Sequence, residues 1–249
     1  MRIILQQAQF DIYTEKRTAL DYLMYESEAE NEETHWWYAG RRLLFSQIIK
    51  SLKLPEHSKI LDIGSSTGTN LRTLEKLGFK DVRGLDRSPV AQNFCFHKGF
   101  GNVLIGDAQA LPFEDQHLDL LVATDILEHI KEDTLAIREA YRVLKPGGYI
   151  LLTVPAFDSL WGIQDIVSHH KRRYRKRPFR SLVEKAGFTI DDNFYFNYIL
   201  FPVIFLCRKI LVLLKLNIRS EMDVNSRSIN SIMKMIFFAD VVSARILKP

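Results

Sequence analysis

From Lys59 onward, short apolar runs alternate with stretches of helix length. The runs "KILDIG", "VRGLD", "VLIGD", "LDLLVATD" and "GYILLTVP" are each bounded by Gly, Asp or Pro and read as buried strands. Between them, "TNLRTLEKLG", "SPVAQNFCFHKG" and "EDTLAIREAYRVLKPGG" carry apolar positions at helical spacing, with start and stop residues at their ends. Strand and helix in strict alternation predict an α/β fold built on a doubly wound parallel sheet. Right-handed crossovers put every strand's C-terminal end on one edge, where ligands bind in such folds.

The flanks have a different texture. Residues 1–55 are helical and polar in pattern, ending in the aromatic-basic run "HWWYAGRRLLF", and predict an N-terminal helical cap. Residues 56–196 then form the sheet domain, and 197–249 an amphipathic helical tail. Within the tail, "NYILFPVIFLCRKILVLLKLNIR" is nearly all apolar but is broken by Arg208 and Lys209, so no spanning helix is expected. At about 100° per residue Asn197, Arg208, Lys215 and Arg219 share one stripe, with Pro202 at a kink or a helix start. That pattern suits a helix lying in a membrane interface. It equally suits an intramolecular hairpin or a homodimer contact, with Ile229, Ile232, Met233, Ile236 and Phe237 covering the first segment.

The strand ends carry the chemistry. "LDIGSSTGTN" supplies two glycines, Gly64 and Gly68, for a tight turn between strand and helix. Asp62 stands just before them. A dinucleotide site presents bare amides to pyrophosphate, and a carboxylate would repel it, which argues against a nicotinamide oxidoreductase. Asp86 ends the second run, where an acid can take ribose hydroxyls. Asp107 follows the third and Asp125 the fourth. Acids at four successive strand ends suit a cationic, phosphate-free nucleoside. S-adenosylmethionine, with its sulfonium and amino groups, has that character.

Residues 58 to about 190 resemble class I S-adenosylmethionine-dependent methyltransferases. The resemblance rests on "LDIGSSTG", "GLDRSP", "GDAQALPF", "DILEHI" and "VLKPGGYILLTVP". It implies a Rossmann-like methyltransferase sheet in which Asp62, Gly64 and Gly68 hold the methionine end of the cofactor. Asp86 would take the ribose, and Asp107 with Ala108 the adenine. Ser66 stands where the middle glycine of the first motif is usual. Arg87, Thr124 and Asp125 border the same strand ends and complete the expected cofactor set.

An acceptor that must lose a proton needs a base, and the candidates are His129, His170 and His35. The run "DIVSHHKRRYRKR" follows the fifth strand, where the loop overhangs the acceptor pocket in this fold. It resembles the H-x-R-R-Y segment of a methyltransferase subgroup associated with cell-surface glycan and lipid pathways, in which an "HWW…RR" segment precedes the fold. Gln164 and His169 depart from that pattern, standing where histidine and glycine are common. Arg172 and Arg173 are candidates to clamp a phosphate or carboxylate. Trp36, Trp37, Arg41, Trp161 and Tyr174 complete the expected acceptor-binding set.

Composition narrows the partners. The chain has 249 residues, two cysteines without metal-ligand spacing, and a net charge of +4 that is unevenly spread. No zinc site, disulfide framework or metal is expected, and the short N-terminal apolar run lacks a leader pattern, so the expected location is cytoplasmic. Nucleic acid is disfavoured, because the basic run lacks an aromatic platform beyond Tyr174. The expected activity is methyl transfer to a lipid-linked, glycan or anionic amphiphilic acceptor, with peripheral contact at an anionic membrane. A soluble or quinone-type small-molecule methyltransferase is the alternative. A cofactor-binding regulator without catalysis is the alternative of another class.

Overall fold

The computed structural model describes residues 22–213 and 227–249. Residues 22–31 form α1, followed by α2 (Trp36–Ser51), β1 (Lys59–Ile63), α3 (Thr69–Lys76), β2 (Asp81–Asp86), α4 (Pro89–His97) and β3 (Val103–Ile105). Then come β4 (Leu118–Thr124), α5 (Asp133–Val143), β5 (Leu144–Thr153), α6 (Ile163–Val167), α7 (Lys176–Lys185), α8 (Phe201–Leu213) and α9 (Arg227–Leu247). The five strands form one sheet in the order β3-β2-β1-β4-β5, and every pairing is parallel. The order reverses beside β1, so a crevice opens there at the C-terminal edge.

Alternation along the central strands feeds two cores. Ile60, Leu120 and Val122 face one way, onto Phe45 and Ile49 of α2, Leu71 and Leu74 of α3, and Cys95 of α4. Leu61, Ile63, Leu121 and Ala123 face the other, onto Ala136, Ile137 and Ala140 of α5 and Val183 of α7. The strands therefore read as unbroken apolar runs because both faces are covered. Helix α4 starts where its sequence supplies a cap. Ser88 accepts the Val90 N–H at 3.2 Å, with Pro89 in the first turn. Ser88→Ala is expected to cost about 1 kcal/mol of stability, read as a shift in the urea midpoint at unchanged slope.

A third apolar cluster joins the two flanks. Phe237 and Val241 of α9 pack with Leu44 of α2 and Leu200, against the rings of Trp36, Trp37 and Phe196. Gly40 is the contact point on α2, since any side chain there would overlap the Phe237 ring. Asn230 tightens the seam, accepting from Trp36 N at 2.7 Å and donating to Thr34 O at 3.0 Å.

The tail differs from its sequence reading at Asn197. Asn197 lies outside α8 in a left-handed turn (φ 59°), its N–H donating to the buried Asp240 carboxylate at 2.6 Å, so the four-residue polar stripe does not form. Lys215 and Arg219 lie outside the described residues. Phe237 and its neighbours cover α2 as well as the first tail segment, where Leu200 and, within α8, Ile204 join the same cluster. Pro202 sits at the second position of α8, the helix-start option. No described helix is long and apolar enough to cross a membrane. No strand is found after β5 among the described residues, so the sheet stops at five strands there.

Candidate active site

The turn from β1 into α3 is built by backbone shape. Gly64 has φ 74°, its N–H donates to Leu85 O at 2.7 Å, and an added Cβ would overlap Ile126 Cδ1. Glycine is needed there for conformation and for the close approach of Ile126. Ser66 also holds a positive φ of 48°. Its hydroxyl donates to Glu28 Oε2 at 2.7 Å and its N–H to Asp86 Oδ2 at 3.0 Å, contacts that offset the strain of a non-glycine residue in the left-handed region. Glu28 and Glu32 thus tie the loop to α1. Thr67 donates to Glu32, and Lys98 Nζ bridges Glu32 Oε1 (2.6 Å) and Thr67 O (2.9 Å).

Behind the loop lies Asp62, fully buried within β1. Asn70 donates to its Oδ1 at 3.0 Å and to Thr124 Oγ1 at 3.0 Å, while Asp62 Oδ2 has no hydrogen-bond partner. Burial pushes the Asp62 carboxyl up to about 7, against the Asn70 hydrogen bond that lowers it. A buried carboxylate oxygen without a donor is costly, and an ammonium group beside Gly64 and Asn70 would supply the missing one. Asp86, at the end of β2, accepts from Ser66 N and Ser88 N, which fixes its carboxylate at the crevice. Asp107 accepts from Gln109 N at 2.9 Å beside Arg87, and the buried Ala108 joins it in the cavity wall. These residues fit the amino, ribose and adenine parts of S-adenosylmethionine in that order along the sheet edge.

The family described as a methyltransferase domain matches residues 61–152, the span from β1 to β5 that holds Asp62, Asp86 and Asp107. The chain carries a class I S-adenosylmethionine-dependent methyltransferase domain. Among its relatives, the rice (Oryza sativa subsp. japonica) protein named 2-methyl-6-phytyl-1,4-hydroquinone methyltransferase 1, chloroplastic, is 26% identical over 63% of this chain and 53% of its own length. The demethylmenaquinone methyltransferase of Tropheryma whipplei is 31% identical over 49% of this chain and 48% of its own. A solved Thermotoga maritima structure, described as a possible histamine N-methyltransferase, matches with a TM-score of 0.52 and 25% identity over 68% of this chain and 82% of its own. The chain spans about half the length of the curated relatives it matches.

In this methyltransferase domain one continuous cavity of about 2070 Å³ runs from Gly64 and Asp86 to a histidine cluster beyond β4. Arg41 reaches into it from α2. Its guanidinium pairs with Asp125, donates to Thr153 Oγ1 at 3.0 Å and lies over the Trp37 ring at 5.6 Å. Asp125 takes a left-handed conformation (φ 56°) that turns the chain off β4 into a short 3-10 turn, Leu127–His129. Glu128 in that turn is fully buried, and neither carboxylate oxygen has a hydrogen-bond partner. Burial pushes its carboxyl up to about 7 and holds the neighbouring His129 imidazole down to about 4, with His170 reinforcing the latter.

The basic run folds inward onto acids. Buried Asp165 receives Arg173 Nε and Nη2, His170 Nδ1 and Gly162 N, all at 2.8 Å. Burial alone would raise the Asp165 carboxyl, but these partners together hold it well below the usual carboxylate range. Arg172 pairs with Asp133 (2.8 Å) and Lys131 O (2.6 Å), and the Tyr174 hydroxyl donates to the same Asp133. Neither Arg172, Tyr174 nor Trp161 lines the cavity, and Arg173, which does, is fully engaged. The two-arginine anion clamp is thus absent as the loop stands, because carboxylates of the chain already occupy both guanidiniums. Trp36 and Trp37 line the cavity with one edge while packing on Phe237. His35 caps α2, its Nδ1 accepting from Trp37 N at 3.2 Å. His129 and His170 lie together, ring centroids 4.7 Å apart.

Sequence reasoning passed over Glu28, Glu32, Asn70, Glu128 and Asp165. Asp165 opens the basic run itself, and a lone acid ahead of six cations was a signal that could have been read.

Proposed function

We propose that the chain transfers a methyl group from S-adenosylmethionine to a small ring-bearing acceptor of the quinol type. The observation that carries this reading is the single cavity that joins the cofactor edge to a polar cluster with an aromatic flank. Its polar end holds Glu128, His129 and His170, suited to the hydroxyl of a phenol. Its flank holds Phe157, Phe194, Tyr195 and Phe201, suited to a ring and an apolar substituent. Two relatives carry names that specify hydroquinone and demethylmenaquinone acceptors.

Bound S-adenosylmethionine supplies a methyl group on a sulfonium, already a good leaving group, so placement of the acceptor dominates the barrier. Asp62 and Asn70 would orient the amino end, and Asp86 the ribose. Arg41, held by Asp125 and Thr153, forms the wall between the two ends. His129 and His170 stand where an acceptor proton would be held. His35, spent on its cap, positions α2.

A second reading, a lipid-linked acceptor at a membrane surface, is favoured by α8. Val203 and Ile210 line the cavity and are also exposed, offering a path for a long apolar tail. Labelled methyl transfer into a quinol panel and into a whole-cell extract, followed by organic–aqueous partition, separates the readings. Label on a quinol standard supports the first. Label confined to the extract's lipid fraction supports the second. Cofactor binding by calorimetry with no transfer to any pool identifies a regulator without catalysis and overturns both.

A further inference from the structure

We propose that Glu128, His129 and His170 form a divalent-cation site at the acceptor end of the cavity. Each offers one ligand atom, and these atoms lie within 4.8 Å of one another. His170 Nε2 is 3.9 Å from Glu128 Oε1. Imidazole nitrogens and carboxylate oxygens about 2.0–2.2 Å from one ion stand roughly 3–3.6 Å apart. A side-chain shift on the order of 1 Å therefore closes the set.

Three features mark the cluster as built. Glu128 is fully buried, lines the cavity and has both oxygens without a hydrogen-bond donor. The nearby cations do not supply one: Arg41 is committed to Asp125 and Arg173 to Asp165. Each imidazole also has an outer partner. Asp165 holds His170 Nδ1 at 2.8 Å, and the Ser168 backbone bonds the His129 ring. A carboxylate or carbonyl behind a ligand imidazole is how metal sites fix ring orientation. The two chain segments are locked together as well, by Lys171 N donating to Glu128 O at 2.8 Å and by the Tyr174 hydroxyl donating to Leu127 O at 3.2 Å.

Two imidazoles and one carboxylate suit Zn²⁺, Co²⁺, Mn²⁺ or Fe²⁺ rather than Ca²⁺, and three protein ligands leave a position open toward the cavity. An acceptor hydroxyl oxygen taking that position would release its proton to solvent more readily. That role rests on the acceptor reading above, whereas binding of the ion does not.

The test uses the full chain stripped with chelator and titrated with Co²⁺, followed by d–d absorption, then with Zn²⁺ by calorimetry. One equivalent should bind. Glu128→Gln and His170→Asn should each weaken binding at least 100-fold while retaining S-adenosylmethionine affinity. Asp62→Asn should do the reverse, losing the cofactor and keeping the ion. Absence of cobalt absorption in the parent overturns the site, as does parent-like binding in both cluster variants. Either result leaves the cluster as a metal-free proton-handling group. Ion binding without methyl transfer would instead count against the acceptor reading alone.

Discussion

Replacing Asp62 with asparagine is expected to weaken S-adenosylmethionine binding by about 100-fold or more, while leaving the free protein at least as stable as the parent. The affinity loss follows from removing a desolvated charge that would face an ammonium, a charge-assisted bond of about 3 kcal/mol. The stability gain follows from the same burial. Asp62 is fully enclosed, and its carboxyl is pushed up to about 7. In the unfolded chain it ionises near 4. The folded state therefore holds a proton that the unfolded state has released, and stability falls as pH rises between those values. The contribution is intact below about pH 4 and lost above about pH 7, a swing on the order of 4 kcal/mol. Urea unfolding of both proteins at pH 5 and pH 8, without cofactor, measures it. A pH slope in Asp62→Asn as steep as the parent's, or unchanged cofactor affinity by calorimetry, would refute the assignment.

Asp165→Ala should be the most damaging single change outside the sheet. It leaves Arg173 Nε and Nη2 and the Gly162 N–H without their acceptor, with only Ala156 O still holding Arg173, and frees His170. Breaking a buried pair from one side typically costs about 3–5 kcal/mol. Unfolding free energy should drop by that amount, and hydrogen exchange should accelerate selectively across residues 162–174. Arg175→Ala, which removes an exposed cation of the same run, should change stability by less than about 0.5 kcal/mol. Equal losses in the two variants would mean that the run is held by overall charge, not by the Asp165 centre.

The sheet was legible because its rules are local. Apolar runs of strand length, a glycine turn after the first and an acid at the end of each of the first four follow from periodicity and turn chemistry, and the strands fall where expected. The wiring of the site was not legible, because it depends on which distant groups meet. Glu28 and Glu32 sit in an acidic stretch whose sequence names no partner, yet they bond the cofactor loop some 35–39 residues on. Arg172 and Arg173 read as a clamp for an anionic acceptor until Asp165 and Asp133 are placed beside them. The tail stripe misled for a simpler reason. Periodicity assumes one unbroken helix, and the left-handed turn at Asn197 ends that assumption before α8 begins.

The seam between α2 and α9 also sets an order of assembly. Strands β1 to β5 and their helices lie within residues 59–185 and bury one sheet face among themselves, while Phe45 and Ile49 of α2 complete the other. Helix α2, which carries Arg41 into the cavity, depends on Phe237 and Asn230 almost 200 residues further along. On a ribosome adding about 5–20 residues per second, α2 would wait on the order of ten seconds or more for that cover. The nascent chain would thus hold a formed nucleotide crevice before its acceptor chamber has walls. During that interval the indoles of Trp36 and Trp37 would be open to chaperones.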